Sequence, residues 1–153
     1  MISNNADLVI RNIWLGNKKS SQDRDFLKNN SIKFVVNCTT DINIPEWYEQ
    51  DNINYIRLPI YDWNSESNNN ILKNEIMNII STIHSYREKK INILVHCFAG
   101  MQRSATVVAC YLMNYYDFKP EHAIFYTRYK RSIAFHPYPT FNTFIFNYKK
   151  IEK

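Results

Sequence analysis

The chain has 153 residues, of which 45% are hydrophobic and 15% aromatic, and it carries a net charge of +5 at neutral pH. This length is enough for a single domain over residues 1–153 with one hydrophobic core. No stretch approaches the roughly 18 apolar residues of a membrane-spanning helix, so we expect no membrane partner. The positive charge favours acidic partners, but the basic residues are scattered, and we do not expect nucleic acid. The densest group, Arg128, Lys130 and Arg131, is interpreted as a solvated helix face.

Strand-like and helix-like segments alternate along the chain. The candidate strands are residues 8–10, 13–15, 32–37, 53–58 and 91–95. The candidate helices are residues 21–29, 71–86, 105–116 and 120–133, followed by a final helix over about 141–148. Because helices separate most of the strands, we expect an α/β fold. It is a single three-layer domain, with a mostly parallel sheet of about five strands covered by helices on both faces.

The most informative segment, HCFAGMQRS at residues 96–104, lies between the last predicted strand and a buried helix. A strand–loop–helix connection directs backbone N–H groups and the positive end of the helix dipole toward one point, which favours an anion. Cys97 opens the loop and Arg103 closes it, so one thiol and one guanidinium are expected to face that anion. The predicted phosphate-binding residues are Phe98, Ala99, Gly100, Met101, Gln102 and Arg103.

The residue types in this loop suit nucleophilic chemistry on phosphate. The helix N-terminus and the nearby cation favour the thiolate form of Cys97, which is the form that attacks. The planar fork of Arg103 matches two phosphate oxygens at once. Gly100, one of only two glycines in the chain, permits a sharp turn. A buried structural cysteine beside a helix-capping arginine is the alternative, and the spacing of Cys, Gly and Arg-Ser argues against it.

Two neighbours of the loop have open interpretations. The Ser104 hydroxyl can donate to the cysteine sulfur when a phosphoenzyme breaks down, or it can cap the following helix, and the two roles are compatible. His96 can tune the thiol, but a buried, hydrogen-bonded histidine that supports the loop is the favoured interpretation.

The pattern His-Cys-x-x-Gly-x-x-Arg-Ser resembles the signature of the protein tyrosine phosphatase superfamily. Residues 104–113 (SATVVACYLM) resemble the small, atypical dual-specificity phosphatases in particular, and residues 12–17, 32–37 and 56–62 are similar to further family segments. The resemblance covers about residues 8–148. It implies that Cys97 is the nucleophile, Arg103 the phosphate-binding cation and Asp62 the general acid, with no cofactor and no metal.

Asp62 is also a plausible general acid on chemical grounds, because a carboxylic acid on a mobile loop can protonate a leaving oxygen. Residues 62–70 are polar and rich in Asn, which predicts a flexible loop, slightly long for the family. A turn or capping role is the alternative for Asp62, and Glu66 is a rival acid. Residues 136–141 (HPYPTF) stand where the family often has Asn, so one loop-supporting hydrogen bond lacks its usual partner.

The function implied is hydrolysis of phosphotyrosine and phosphoserine or phosphothreonine in proteins through a cysteinyl-phosphate intermediate. RNA 5′-triphosphatases and phosphoinositide phosphatases share the loop chemistry. The lipid enzymes usually place lysines inside the loop, and the RNA enzymes tend to carry Arg-Thr-Gly where this chain has Arg-Ser-Ala at residues 103–105. A non-catalytic phosphate-binding module is the remaining alternative, against which Cys97, Arg103 and Asp62 argue. The expected partners are phosphoprotein substrates, with signalling kinases as further candidates, and we expect a monomer.

The cysteines indicate a reducing compartment. Cys38, Cys97 and Cys110 cannot all pair, and none has the Cys-x-x-Cys spacing of a metal site. We therefore expect a cytoplasmic location, with the nucleus as the alternative, and we predict that Cys38 and Cys110 belong to the core.

Overall fold

The computed structural model describes residues 3–150. In that part of the chain, five strands form one sheet with the order β1-β2-β5-β3-β4. Neighbouring strands are parallel except β1 and β2, which are antiparallel. The predicted α/β fold with a mostly parallel sheet is therefore confirmed. The strands are β1 (Ala6–Ile10), β2 (Ile13–Gly16), β3 (Ile32–Asn37), β4 (Asn54–Arg57) and β5 (Asn92–His96).

Helices cover both faces of this sheet, as the alternation of side chains along β5 requires. Leu94 packs on one face in a cluster with Leu27 and Tyr48, whereas Ile93 and Val95 pack on the other face in the larger core cluster. The three-layer prediction is confirmed. The helices are α1 (Lys18–Ser21), α2 (Arg24–Asn29), α3 (Trp47–Gln50), α4 (Glu66–Glu88), α5 (Arg103–Tyr116), α6 (Pro120–Lys130) and α7 (Asn142–Phe146).

Local capping groups explain two of the differences between the predicted and the observed helices. The helix predicted over residues 21–29 begins only at Arg24, because the Asp23 carboxylate accepts the Phe26 N–H (3.0 Å) and caps α2. Ser21 instead ends α1, which was not predicted. Helix α4 begins at Glu66 rather than 71, because the Ser65 hydroxyl accepts the Asn68 N–H (3.1 Å). Helix α3 was not predicted. Helices α6 and α7 end at 130 and 146 rather than 133 and 148.

The chain's two glycines lie against each other at the carboxyl edge of the sheet. Gly16 ends β2 opposite His96 of β5, and Gly100 follows in the loop after β5 with a φ of +68°. A Cβ atom on Gly100 would lie 2.5 Å from the Gly16 carbonyl oxygen. Only glycine satisfies both the left-handed backbone and this close approach, so this contact seats the loop against β2.

Cys38 and Cys110 are fully buried free thiols, as predicted. Burial raises the pKa of both thiols above the ordinary value. Both therefore behave as small apolar residues of the core.

Candidate active site

Five consecutive backbone carbonyls fix the loop between β5 and α5. The Phe98 carbonyl accepts the Lys18 N–H (2.9 Å), and the Met101 carbonyl accepts the Phe135 N–H (2.7 Å). The Ala99 and Gly100 carbonyls accept from the Arg131 guanidinium at 3.1 and 2.9 Å. The Gln102 carbonyl accepts the Thr106 N–H at 2.9 Å. Since each carbonyl bonds to the surrounding protein, the N–H groups of the loop are left to face a ligand.

Arg131 lies at the centre of this anchoring, which corrects its interpretation as part of a solvated helix face. Its side chain is only 1% exposed. Besides the two loop carbonyls, the guanidinium donates to the Asn4 carbonyl and to the Asp7 carboxylate, both at 2.8 Å. A buried guanidinium with four acceptors, one of them ionic, is fully satisfied. The loop and β1 are thereby joined through one side chain.

Arg103 begins α5 and points back toward the segment after β4. Its Nη1 donates to the Ile60 carbonyl at 3.1 Å. Its Nε is buried and has no hydrogen-bond partner among the described residues. The Asp62 carboxylate lies 3.8 Å from this Nε, beyond hydrogen-bond distance. An unpartnered, buried, charged donor is costly unless a ligand supplies an acceptor, and an oxyanion is the matching ligand.

Cys97 and Ser104 lie next to each other, as predicted. Cys97 is 2% exposed, and its sulfur lies 3.0 Å from the Ser104 hydroxyl oxygen. Ser104 is inside the first turn of α5, and Gln102 occupies the position before the helix. The capping interpretation of Ser104 is therefore wrong, and its hydroxyl is free to bond to the sulfur.

His96 is buried at the end of β5 and supports the loop rather than meeting a ligand. Its Nδ1 lies 3.3 Å from the Cys97 carbonyl oxygen. Burial lowers the pKa of His96 to about 4. The imidazole is therefore neutral near pH 7, consistent with the supporting role predicted for it.

Asp62 lies at the rim of the same cleft, with about half of its side chain exposed. Burial raises the pKa of the Asp62 carboxyl above its ordinary value, and the nearby Arg103 charge opposes part of this effect. A carboxyl that stays protonated to higher pH is suited to donate a proton. The predicted flexible loop over residues 62–70 is wrong, because residues 66–70 form the first turns of α4. Glu66 is exposed at the start of α4 and is not among the described residues that line the cleft.

The cleft has a volume of about 290 Å³, and its second wall is the segment after α6. Gln102 fixes this wall: its amide donates to the His136 and Tyr138 carbonyls at 3.3 and 3.0 Å and accepts the Thr140 N–H at 2.9 Å. This wall is therefore held by a side chain of the loop between β5 and α5. The lining residues are Asp62, Cys97, Ala99, Met101, Gln102, His136, Pro137, Tyr138 and Thr140.

Two buried polar side chains that hold the site together were not predicted from the sequence. They are Asn68 and Arg131. Each lies in a series of polar or basic residues that is typical of a solvent-exposed segment. The local sequence pattern does not indicate which residue of the series is buried. Across residues 3–150, no group of three His, Cys, Asp or Glu side chains is arranged to hold a metal ion. In the same range, no helix combines the length and apolar character needed to cross a membrane.

Comparisons with known proteins agree with this geometry. The family model "Dual specificity phosphatase, catalytic domain" matches residues 13–151. Dual specificity protein phosphatase Mpk3 of Drosophila melanogaster is 36% identical over 102 residues, which cover 67% of this chain and 24% of that protein. Dual specificity protein phosphatase 7 of Homo sapiens is 33% identical over 125 residues, which cover 81% of this chain and 28% of that protein. The chain thus spans about a quarter of the length of these relatives. A crystal structure of DUSP15 superposes with a TM-score of 0.80 and 26% identity, covering 94% of this chain and 86% of that one.

Replacing Arg131 with Lys should disorganise the loop. One ammonium group cannot serve the two loop carbonyls, the Asn4 carbonyl and Asp7 together, so we expect at least tenfold weaker binding of inorganic phosphate by calorimetry. We also expect a loss of about 3 kcal/mol of unfolding free energy. The control is Arg128→Lys on the preceding turn, which should change neither quantity. If the phosphate affinity of Arg131→Lys equals that of the parent, the loop keeps its conformation without the Arg131 guanidinium.

His96 should make stability depend on pH. In the unfolded chain its pKa returns to about 6.5. Between pH 6.5 and 4 the unfolded chain therefore binds a proton that the folded chain excludes, and the unfolding free energy falls as pH falls, by up to about 3 kcal/mol. Urea titrations across this range should show a flatter dependence in His96→Gln, whereas His122→Gln, at an exposed histidine, should match the parent. An identical slope in His96→Gln would contradict the prediction.

Proposed function

The chain belongs to the dual specificity phosphatase catalytic domain family, and we propose that it hydrolyses phosphate monoesters of tyrosine and of serine or threonine in proteins. The observation that carries the proposal is the meeting, in one cleft, of a nucleophilic sulfur, a half-exposed carboxyl and a buried guanidinium whose Nε lacks an acceptor. A phosphoryl group seated on the loop N–H groups gives that Nε its acceptor. In this bound position the phosphorus lies next to the Cys97 sulfur, and the ester oxygen faces Asp62.

The first step transfers the phosphoryl group to the enzyme. The Cys97 thiolate attacks phosphorus from the base of the cleft, a P–S bond forms, and the P–O bond to the substrate breaks. Asp62 gives its proton to the departing oxygen, so that an alcohol or phenol leaves. Arg103 and the loop N–H groups stabilise the three equatorial oxygens as charge shifts between them.

The second step returns the enzyme to its starting state. The Asp62 carboxylate, now deprotonated, takes a proton from a water molecule as that water attacks phosphorus. The P–S bond breaks, inorganic phosphate forms, and the Ser104 hydroxyl, 3.0 Å from the sulfur, donates a hydrogen bond to the leaving thiolate. Neither step requires a redox change or a cofactor.

Protein substrates fit the site better than the alternatives with the same chemistry. The loop residues between Cys97 and Arg103 carry no lysine that would match the additional phosphates of an inositol headgroup, and Arg-Ser-Ala follows where RNA 5′-triphosphatases tend to carry Arg-Thr-Gly. A non-catalytic phosphate-binding role is disfavoured by the presence of all three reacting side chains. We further propose a location in the reducing cytosol or nucleus, since Cys38, Cys97 and Cys110 are all free thiols. We also propose a monomer, with signalling kinases among its partners.

Cys97→Ser should abolish turnover of an aryl phosphate and of phosphopeptides, because the serine hydroxyl stays protonated at neutral pH. Binding of phosphate should survive, since the loop backbone and Arg103 are unchanged. Steady-state kinetics and calorimetry measure the two effects separately. EDTA should leave the parent's rate unchanged, because Arg103 supplies the charge that a metal ion supplies elsewhere. Turnover within tenfold of the parent in Cys97→Ser would contradict the proposal.

Asp62→Asn should reduce the rate of turnover by a factor that depends on the leaving group of the substrate. For phosphotyrosine the phenolate would leave without a proton, and we expect a loss of about a hundredfold or more. For 4-nitrophenyl phosphate, whose leaving group is already acidic, the loss should be much smaller. The falling limb of the pH–rate profile should also disappear for phosphotyrosine, because it reports loss of the Asp62 proton. The matched control is Glu66→Gln; if that variant reproduces the pattern instead, Glu66 is the acid.

A further inference from the structure

Three consecutive asparagines, residues 68–70, lie in the first turns of α4, and the first of them is almost fully buried. Asn68 is 2% exposed, whereas Asn70 is exposed to solvent. A polar side chain buried in the first turns of a 23-residue helix requires hydrogen bonds that offset its desolvation. These bonds lead to the segment that carries Asp62.

The Asn68 amide forms three hydrogen bonds on the two sides of Asp62. Its Oδ1 accepts the Tyr61 N–H at 2.8 Å, and its Nδ2 donates to the Tyr61 carbonyl at 2.7 Å and to the Trp63 carbonyl at 2.9 Å. An amide serves as acceptor and double donor at once, which neither a carboxylate nor a hydroxyl can do. The residues before and after Asp62 are thereby held, while the Asp62 carboxyl itself accepts no hydrogen bond from the described residues.

Two further contacts restrict the same segment. The Tyr61 and Trp63 rings stack at 4.4 Å with an angle of 9° between their planes. On the other side, Arg103 donates to the Ile60 carbonyl at 3.1 Å. Helix α4 is itself fixed by a buried apolar face that includes Leu72, Ile76 and Ile80. Asn68 therefore connects a rigid helix to the backbone on either side of the carboxyl.

We propose that Asn68 is the positioning residue for proton transfer by Asp62. This inference rests on the function proposed above, in which Asp62 protonates the leaving oxygen. Without the amide, the Tyr61–Trp63 backbone is released and Asp62 samples orientations in which the proton does not reach that oxygen. Cys97 lies outside this segment, and Arg103 meets it only at the Ile60 carbonyl, which the Asn68 amide does not contact. Phosphate binding and attack by Cys97 should therefore survive the loss of Asn68. Loss of Asn68 should therefore slow only substrates that need a proton.

Asn68→Ala tests this selectivity, with Asn70→Ala as the matched control on the same helix. We expect kcat for phosphotyrosine to fall at least tenfold and kcat for 4-nitrophenyl phosphate to fall less than threefold, because general-acid catalysis contributes mainly to the first. Inhibition by inorganic phosphate should stay within twofold of the parent. Asn70→Ala should match the parent on both substrates. An equal loss on both substrates, or the same loss in Asn70→Ala, would overturn the proposal.

A second variant covers the case in which Asn68→Ala folds poorly, as judged by its thermal melting. Asn68→Asp keeps an acceptor for the Tyr61 N–H but removes both donors, and it should show the same dependence on leaving group. The double variant Asp62→Asn/Asn68→Ala should be no slower on phosphotyrosine than Asp62→Asn alone, because there is no acid left to position. Additive losses would mean that Asn68 acts on something other than the acid, and would overturn the proposal.

The single variant Asp62→Asn separates the two hypotheses. If the loss of kcat in Asp62→Asn depends on the leaving group and the loss in Asn68→Ala does not, the positioning role is wrong and the proposed function stands. If Asp62→Asn is insensitive to the leaving group while Cys97→Ser is inactive, the acid is another residue, and the role of Asn68 falls with it.

Discussion

The direction of five peptide carbonyls determines the chemistry of this site. From Phe98 to Gln102 every carbonyl accepts a hydrogen bond from the surrounding protein. A peptide unit whose carbonyl is bonded away from the cleft has its N–H available on the opposite side, so a run of them creates an anion site without any charged residue inside the loop. Such a site is organised before the ligand arrives, which is the condition for electrostatic stabilisation to speed a reaction.

Distant parts of the fold supply the groups that hold four of those carbonyls, and the fifth, of Gln102, accepts the Thr106 N–H within α5. Lys18 begins α1, Phe135 lies beyond α6, and Arg131 follows the last turn of α6. The Arg131 guanidinium can be buried because the Asp7 carboxylate of β1 forms an ion pair with it at 2.8 Å. The antiparallel strand at the edge of the sheet is therefore part of the site's support, although it lies far from Cys97 in sequence. Gly100 and Gly16 complete this support, since their contact leaves no room for a side chain.

The sequence predicted the features that depend on local pattern. The five strands, their mostly parallel arrangement and the loop from Cys97 to Arg103 follow from apolar periodicity and from residue types that suit phosphate. The support of the loop could not be predicted in the same way. Arg131 follows two other basic residues of α6, and whether it is solvated or buried depends on Asp7, 124 residues away in sequence. Asn68 likewise belongs to a run of three asparagines that favours a loop, whereas in the structure the Ser65 hydroxyl caps α4 ahead of that run and the run is helical.

Two buried amides hold the walls of the cleft. Gln102 holds the wall over residues 136–140, and Asn68 holds the segment that carries Asp62. Each amide joins a rigid helix or loop to one side of the cleft by bonds to backbone atoms. Backbone bonds of this kind fix the geometry of the two walls independently of the side chains that those walls carry.

The most direct measurement of the central claim is the identity of the covalent intermediate. The protein would be mixed with phosphotyrosine peptide, quenched in acid within one turnover, digested and analysed by mass spectrometry. We predict one phosphoryl group on the peptide that contains Cys97, and a larger fraction of it in Ser104→Ala, because the sulfur then leaves without its hydrogen-bond donor. Turnover without phosphate on Cys97, or with phosphate on another residue, would contradict the assignment of this loop as the catalytic centre.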